Sequence, residues 1–448
     1  MEFTGTFKRK FEALLEEFGR THLLWCEDHK AYFEETRQDG LIFSTIDAPE
    51  DMREDIATRR KNDEPHVPQL YGTKLTESLI AGLSEILHKT NDIKCLDWEL
   101  NTIVKDCAYE LINTHFLDKS TEGEDYFKKL SVIFEKRLHV FKTGFKRFRF
   151  QFPVKAFQGA REMRLTKNIQ MISIDPNELV NQELESYKRT RLFGCNFYIE
   201  VTVPCKCSLE LSKTLAKRSM LAMCNSLKLL SAGLFGGGVP IISSIDTGFH
   251  MFDFYRFGEV GGQLDSSRTT TFLDRKIEEF WDELAKSKDD PNLVFHVVLN
   301  IPELLLIPNF KEANVLELIE RSLIWFGDSV SESNELQRIQ KIVTSIETLV
   351  NFKEHDTTET FKSRVKDLNL AQPSIDGDVY AYSGLLYGAR SDIVHGEPFK
   401  NTLNFDYVRL CSGTLINAIC YFSLFGLTAT GFKNKLPAFI DDIKNRIP

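Results

Sequence analysis

The chain has 448 residues, of which 42% are hydrophobic and 27% are charged, and its formal net charge is −9. This balance is typical of a globular protein with a sizeable core, and the length favours more than one domain. The negative charge excludes a surface that attracts nucleic acid as a whole, so RNA or DNA would have to bind a local basic patch or cleft.

The cysteine usage and the N-terminal sequence predict a cytoplasmic protein without a membrane partner. Nine cysteines are scattered without zinc-binding spacing, which favours a reduced compartment, and no metal site or cofactor is predicted. The N-terminus MEFTGTFKRKFEALLEEFGR is charged and amphipathic, unlike a signal peptide. The apolar stretch at 410–431 contains Ser412, Asn417 and Ser423, so we expect a buried helix rather than a membrane span.

Residues 1–135 are predicted to be mainly helical. The segments FKRKFEALLEEF and LTESLIAGLSEILHK repeat apolar residues at helical spacing. Between them, DAPEDMREDIATRRKNDEPHVPQ is polar and contains prolines, which is typical of a loop or linker.

Residues 136–305 are predicted to form an α+β domain. Strand patterns occur in HVFKTGFKRFRFQFPV, NIQMISI, CNFYIEVTV and LVFHVVLNI, and the segment SLELSKTLAKRSMLAMCNSLKLLSAG predicts one long helix. The glycine-rich GLFGGGVP lacks the Lys-Ser/Thr ending of a phosphate loop, so a flexible turn is favoured over a nucleotide site.

Residues 306–448 are predicted to form an all-helical bundle. Five helices are expected, at about 313–330, 333–352, 357–368, 379–395 and 403–427. The links between them carry the helix breakers Pro373, Gly377, Gly396 and Pro398. The predicted fold class is therefore a multi-domain α+β protein, with strands in its N-terminal and central regions and a C-terminal helical bundle.

The segment FKTGFKRFRFQF is a candidate RNA-binding surface. Basic residues alternate in it with phenylalanines, and the basic residues are Lys142, Lys146, Arg147 and Arg149. Strand alternation would place the rings on one face and the positive charges on the other, where they would meet phosphates. The alternative is a half-buried strand with a solvated basic face.

The segment LLYGARSDIVHG carries the candidate chemistry. Arg390 and His395 are five residues apart, or about 140° around a helix, so two copies meeting across a two-fold axis would be needed to build one cleft. Arginine binds phosphate through its planar guanidinium, and histidine transfers protons near neutral pH. Together they suffice for metal-independent RNA cleavage to a 2′,3′-cyclic phosphate and a 5′-hydroxyl. The alternative is an ordinary helix end before Gly396, where the dipole favours cationic side chains.

The last third of the chain, residues 306–430, resembles the HEPN superfamily, and specifically the ApeA-like HEPN domains. The resemblance rests on Arg390-x4-His395, with Leu386 and Tyr387 before it and Gly396 after it. It extends to RIQKIVTSIETLVNF, where a glutamate precedes a leucine, and to the tryptophan-containing ERSLIWFGDSVSES.

The resemblance implies an RNA endonuclease of antiphage defence, abortive infection or a toxin system, acting as a homodimer or larger homo-oligomer. By this likeness Arg390 and His395 are catalytic, and the expected substrate is transfer or messenger RNA. The upstream residues 1–305 would sense a trigger, such as a phage-derived one, or select the substrate.

The resemblance also implies supporting residues, which are Glu347, Tyr387, Ser391 and Asp392. Ser391 stands where many HEPN nucleases carry Asn, Asp or His. The alternative for Asp392 is a solvated side chain without a supporting role, and the alternative for Glu347 is an ion pair with Lys341 or Lys353. Two other functions stay open: a non-catalytic HEPN module that binds RNA or a nucleotide or only dimerises, and an interaction protein in which the helical domain is a scaffold.

Overall fold

The computed structural model is mainly helical with a small antiparallel sheet, which confirms a mixed α+β composition. The structure describes residues 3–27, 31, 73–117, 126–157, 159–174, 195–235, 241–244, 252–257, 264–268, 274–310, 313–350, 358–370, 372–397 and 403–426. Its contacts divide the chain into two units, Met1–Arg147 with Cys205–Ser212, and Phe148–Pro204 with Lys213–Pro448. The three domains predicted above, with boundaries near 135 and 305, stay a prediction.

The first unit contains four complete helices in its described part. They are α1 (Gly5–Glu27), α2 (Lys74–Asn91), α3 (Asp97–Leu117) and α4 (Tyr126–Thr143). Apolar residues at helical spacing build the common core, with Phe7, Leu83 and Phe134 among its fully buried members. The two helices predicted from periodicity are confirmed as α1 and α2, whereas the polar segment at 47–69 lies outside the described residues.

The second unit contains a five-stranded antiparallel sheet. Its strands are β1 (Arg149–Ala156), β2 (Met163–Arg164), β3 (Ile169–Ser173), β4 (Phe197–Thr202) and β5 (Ile242–Ser244), in the order β2-β3-β4-β1-β5. The strands predicted in NIQMISI and CNFYIEVTV are confirmed as β3 and β4. A separate hairpin is formed by β6 (Phe252–Phe257) and β7 (Leu264–Arg268).

Three further helices precede the C-terminal bundle in the chain. They are α5 (Leu209–Leu230), which a π-helical turn extends through Ser231–Phe235, α6 (Asp274–Ser287) and α7 (Val294–Leu304). The long predicted helix is confirmed as α5, and 236–240 of the glycine-rich segment lie outside the described residues. The strand predicted in LVFHVVLNI is wrong, because this run is α7. Its buried residues Phe295, Val298, Leu299 and Pro302 recur at helical spacing, which a continuous apolar run does not reveal.

The C-terminal bundle consists of the five expected helices. They are α8 (Ala313–Val330), α9 (Glu335–Val350), α10 (Thr358–Leu368), α11 (Val379–His395) and α12 (Tyr407–Tyr421), with a π-helical turn at Phe422–Gly426. The apolar stretch predicted as a buried helix forms α12, which is largely buried. In the part of the chain that the structure describes, no helix has the length and apolar character to cross a membrane.

Helix α5 is tied directly to the bundle. Arg218 of α5 donates to Glu320 of α8, with its Nε 2.9 Å from Oε1. The buried ammonium of Lys228 donates to the Gly327 carbonyl at 3.2 Å and to the Ser331 hydroxyl at 3.1 Å. Burial lowers the pKa of Lys228, and the carbonyl and hydroxyl acceptors offset part of the cost of burying its ammonium group. Helix α5 and the bundle therefore share one interior.

Candidate functional site

Helix α11 carries the Arg-x4-His motif, and both of its ends are fixed by local sequence. Asp378 caps the start, and its carboxylate accepts from the backbone N–H groups of Tyr380 and Ala381. Gly396 ends the helix at φ 71°, a left-handed conformation that favours glycine. The Glu397 N–H then donates to the Asp392 carbonyl at 2.9 Å. His395 is therefore the last residue of α11.

Arg390 lies in a small polar cluster with two other predicted site residues. Its Nη2 is 3.7 Å from Oε2 of Glu347, which projects from α9. The Tyr387 hydroxyl, one turn before Arg390 on α11, lies close enough to the same carboxylate for the two groups to shift each other's pKa. We call Glu347, Tyr387 and Arg390 the arginine cluster. The structure thus brings together three of the six residues to which the sequence assigned catalytic or supporting roles.

An aromatic residue that the sequence did not reveal supports this cluster. The ring of Phe361, fully buried on α10, lies 4.8 Å from the ring of Tyr387. Such contacts hold a tyrosine ring in place, because aromatic pairs favour tilted geometries at this separation. The only sequence signal for Phe361 is its apolar position in a short amphipathic helix.

The alternative pairing of Glu347 with Lys341 is wrong. The Lys341 ammonium lies 2.7 Å from the Glu332 carboxylate, whereas Glu347 faces Arg390. The other alternative partner, Lys353, lies outside the described residues.

Burial sets the electrostatics of the arginine cluster. Burial raises the pKa of the Glu347 carboxyl above its ordinary value, although the Arg390 charge and the Tyr387 hydroxyl act to lower it. Burial also raises the pKa of Tyr387, and the neighbouring Glu347 charge adds to this shift. The Arg390 side chain is 31% exposed, and its buried Nε has no hydrogen-bond partner among the described residues. Since a guanidinium carries five N–H donors, the single ion pair leaves donors for an anionic ligand.

His395 lies apart from the arginine cluster within one chain. It is exposed at the end of α11, about 140° around the helix axis from Arg390. Within the described part of the chain, its ring makes no hydrogen bond or ion pair. Ser391 and Asp392 are half-buried, and Glu347 rather than Asp392 is the ion-pair partner of Arg390. Asp392 contributes its backbone carbonyl to the helix cap.

The four basic residues predicted on one strand do not share a strand. Lys142 lies in the last turn of α4, Lys146 forms an isolated bridge with Cys207, and Arg147 follows it in the chain. Only Arg149 is part of β1, where its Nε lies 3.6 Å from the Glu200 carboxylate.

The four basic residues are divided between a helix, a bridge and a strand because a helical and a strand periodicity overlap in this segment. Phe134, Leu138 and Phe141 continue the inner face of α4 at spacings of four and three, which favours helix. Strand alternation begins only at Phe148, and the rings of Phe148 and Phe150 lie 6.2 Å apart.

No three His, Cys, Asp or Glu side chains lie together as a metal site requires, within the residues that the structure describes.

The pKa shift of Glu347 predicts a stability change with pH. Between the ordinary value of 4.5 and the raised folded value, the native state binds more protons than the unfolded state, so stability falls as pH rises. Glu347→Gln removes the carboxyl group that binds this proton. We expect the unfolding temperature of the wild type, relative to Glu347→Gln, to fall as pH rises above about 4.5, in thermal scans from about pH 3 to about pH 8.

Glu332→Gln is the matched control with the opposite sign. The hydrogen bond from Lys341 lowers the pKa of Glu332, so its contribution to stability is lost as pH falls. The two variants should therefore shift in opposite directions. Equal slopes would contradict the burial of the Glu347 carboxyl described above.

Comparisons of the chain with models of known protein families, with curated proteins and with solved structures found no match. The resemblance to ApeA-like HEPN domains therefore rests on the residues of α8, α9 and α11 themselves.

Proposed function

We propose that this protein is a metal-independent RNA endonuclease that acts as a homodimer or larger homo-oligomer through a C-terminal HEPN domain. The observation that carries the proposal is the arginine cluster. A half-buried arginine is paired with a half-buried carboxylate, on the helix whose final residue is the exposed His395. A phosphate-binding fork and a proton-transfer group are the two functions that this cleavage requires.

The reaction is an internal transfer at phosphorus. The His395 imidazole of one chain takes the proton of the ribose 2′-hydroxyl, and the 2′-oxygen attacks the phosphorus. The bond from phosphorus to the 5′-oxygen breaks, and the protonated His395 of the second chain gives its proton to the leaving oxygen. Arg390 stabilises the negative charge that builds on the phosphoryl oxygens. The products are a 2′,3′-cyclic phosphate and a 5′-hydroxyl.

Two copies of the chain are needed for this arrangement. One α11 separates Arg390 and His395 by about 140°, whereas two helices meeting at a two-fold axis supply both histidines to one cleft. Val394, beside His395, is 46% exposed and offers an apolar side chain for such a contact.

Glu347 and Tyr387 are positioning residues in this proposal. The carboxylate fixes one edge of the Arg390 guanidinium, and the tyrosine, which packs on Phe361, fixes the carboxylate. Preorganised charge of this kind stabilises a transition state without reorganisation during the reaction.

The biological setting follows from the HEPN resemblance. We propose growth arrest during phage infection, with transfer or messenger RNA cut after a phage-derived trigger acts through residues 1–305.

A second candidate is a non-catalytic module that binds RNA or a nucleotide, or only dimerises. It is favoured by the separation of His395 from the arginine cluster within one chain, because the cluster alone binds an anion without moving a proton.

Cleavage of matched RNA and DNA strands in EDTA separates the two candidates. We expect the protein to cut the RNA and to leave a DNA of the same sequence intact, because DNA lacks the attacking 2′-hydroxyl. The gel readout should also show that one 2′-deoxy nucleotide in the RNA blocks cutting at that position. Binding of RNA without any cutting, by triggered protein from infected cells, would favour the non-catalytic module instead.

A further inference from the structure

The outward face of α4 in the first unit is strongly basic. From Tyr126 to Arg147 the sequence contains seven lysine and arginine residues and one glutamate, in a chain whose net charge is −9. A local patch of this kind is what an acidic protein needs in order to approach a polyanion.

The geometry of α4 gathers these charges on one side. At 100° per residue, an arc of about 120° contains one acidic residue, Glu135, and four basic residues, Lys128, Lys136, His139 and Lys142, which span about 21 Å along the axis. All four are exposed. No carboxylate pairs with the three lysines among the residues that the structure describes.

Another cation of α4, Arg137, does not belong to this outward face. Arg137 turns inward, where its Nη2 lies 2.7 Å from the Glu110 carboxylate and its Nη1 3.6 Å from Asp106, both on α3. The inner cation is therefore neutralised, whereas the outer lysines face solvent. Beyond the helix end, Lys146 and Arg147 are also exposed and prolong the basic surface.

We propose that this surface, which we call the basic face of α4, binds the phosphodiester backbone of RNA without reading its sequence, and so recruits the substrate. The inference rests on the proposed ribonuclease function. Lysines act as point charges toward phosphates, and the exposed apolar residues of the face are Val132 and Val140, which offer no ring for base stacking. Contacts to phosphates alone position RNA without specifying its bases.

An anionic membrane is a poorer occupant of this face. A helix that lies on a membrane inserts its apolar side into the lipid, but the apolar side of α4, with Leu130, Phe134 and Leu138, is buried in the core of the first unit.

The test uses the full chain with His395→Ala, so that RNA is bound without being cut. Binding of a fluorescent single-stranded RNA is measured over a salt series, with and without Lys128→Gln, Lys136→Gln and Lys142→Gln together. We expect the three changes to weaken binding about tenfold or more at low salt and to reduce the slope of log affinity against log salt by about 2. The control carries Lys213→Gln, Lys217→Gln and Lys366→Gln, exposed lysines of the second unit, and should keep the parent affinity and slope.

Unchanged RNA affinity in the α4 variant would overturn the proposal, and so would lost binding to phosphatidylserine vesicles with RNA affinity intact. The binding assay tests the basic face independently of the proposed cleavage reaction. Binding that depends on α4, in a chain whose wild type cuts no RNA even as triggered protein from infected cells, would support the basic face and contradict the nuclease. Normal RNA binding by the α4 variant, together with normal cutting when the same three changes are made in a chain that keeps His395, would contradict the basic face alone.

Discussion

Replacing His395 with alanine is expected to reduce RNA cleavage by about 10²- to 10⁴-fold, the usual contribution of a general acid or base. The fold should keep its stability, because His395 is exposed at the last position of α11 and the described residues give its ring no hydrogen bond. The measurements are the cleavage rate on a defined RNA and the unfolding temperature of the same preparation.

Glu397→Ala is the matched control for this change. Glu397 is also exposed and lies two residues beyond His395, so its removal should leave both quantities near the wild-type values. A His395→Ala protein that cuts RNA as fast as the Glu397→Ala protein would remove histidine from the mechanism.

Replacing Arg390 is expected to have a comparable effect for a different reason. Arg390→Ala removes the cation of the arginine cluster, and we expect kcat to fall by about 10²- to 10³-fold, as when one donor to a developing oxyanion is lost. Arg390→Lys keeps the charge but not the planar fork, so it should restore only part of the rate. The measurement is single-turnover cleavage with the protein in saturating excess over the RNA, which separates the chemical step from binding.

Loss of Arg390 also affects Glu347. Without the neighbouring positive charge, burial acts on the Glu347 carboxyl with less opposition, and its pKa rises further.

Arg409→Ala, at an exposed arginine of α12, is the control for Arg390→Ala and should keep the wild-type cleavage rate. A loss in Arg390→Ala that appears wholly in RNA affinity, with kcat unchanged, would contradict the role of Arg390 in the chemical step and leave it only a role in RNA binding.

Much of the bundle could be predicted because its signals are local. Asp378 and Gly396 mark the two ends of α11, and the predicted bounds 379–395 agree with the structure. The same reasoning failed at 293–301, where a continuous apolar run fits a strand or a helix equally well. It failed again at 141–148, where aromatic alternation concealed the last turn of α4.

The candidate site could be predicted only in part. Arg390 could be singled out as a charged residue on a largely apolar segment and Glu347 through the HEPN resemblance, but their contact depends on how α9 packs against α11. Phe361 was missed because an apolar residue of a short helix carries no sign of what it touches. The basic face of α4 was predicted only in part, through Lys142, Lys146 and Arg147 on an expected strand, since only the packed core shows which side of that helix faces outward.

The most direct test of the nuclease account is end-group mapping of RNA cut in EDTA by the wild type and by His395→Ala, with triggered protein from infected cells. The account predicts fragments with 2′,3′-cyclic phosphate and 5′-hydroxyl ends from the wild type and almost none from the variant. Cleavage that requires a divalent metal and leaves 5′-phosphate and 3′-hydroxyl ends, or cleavage that persists in His395→Ala, would contradict it.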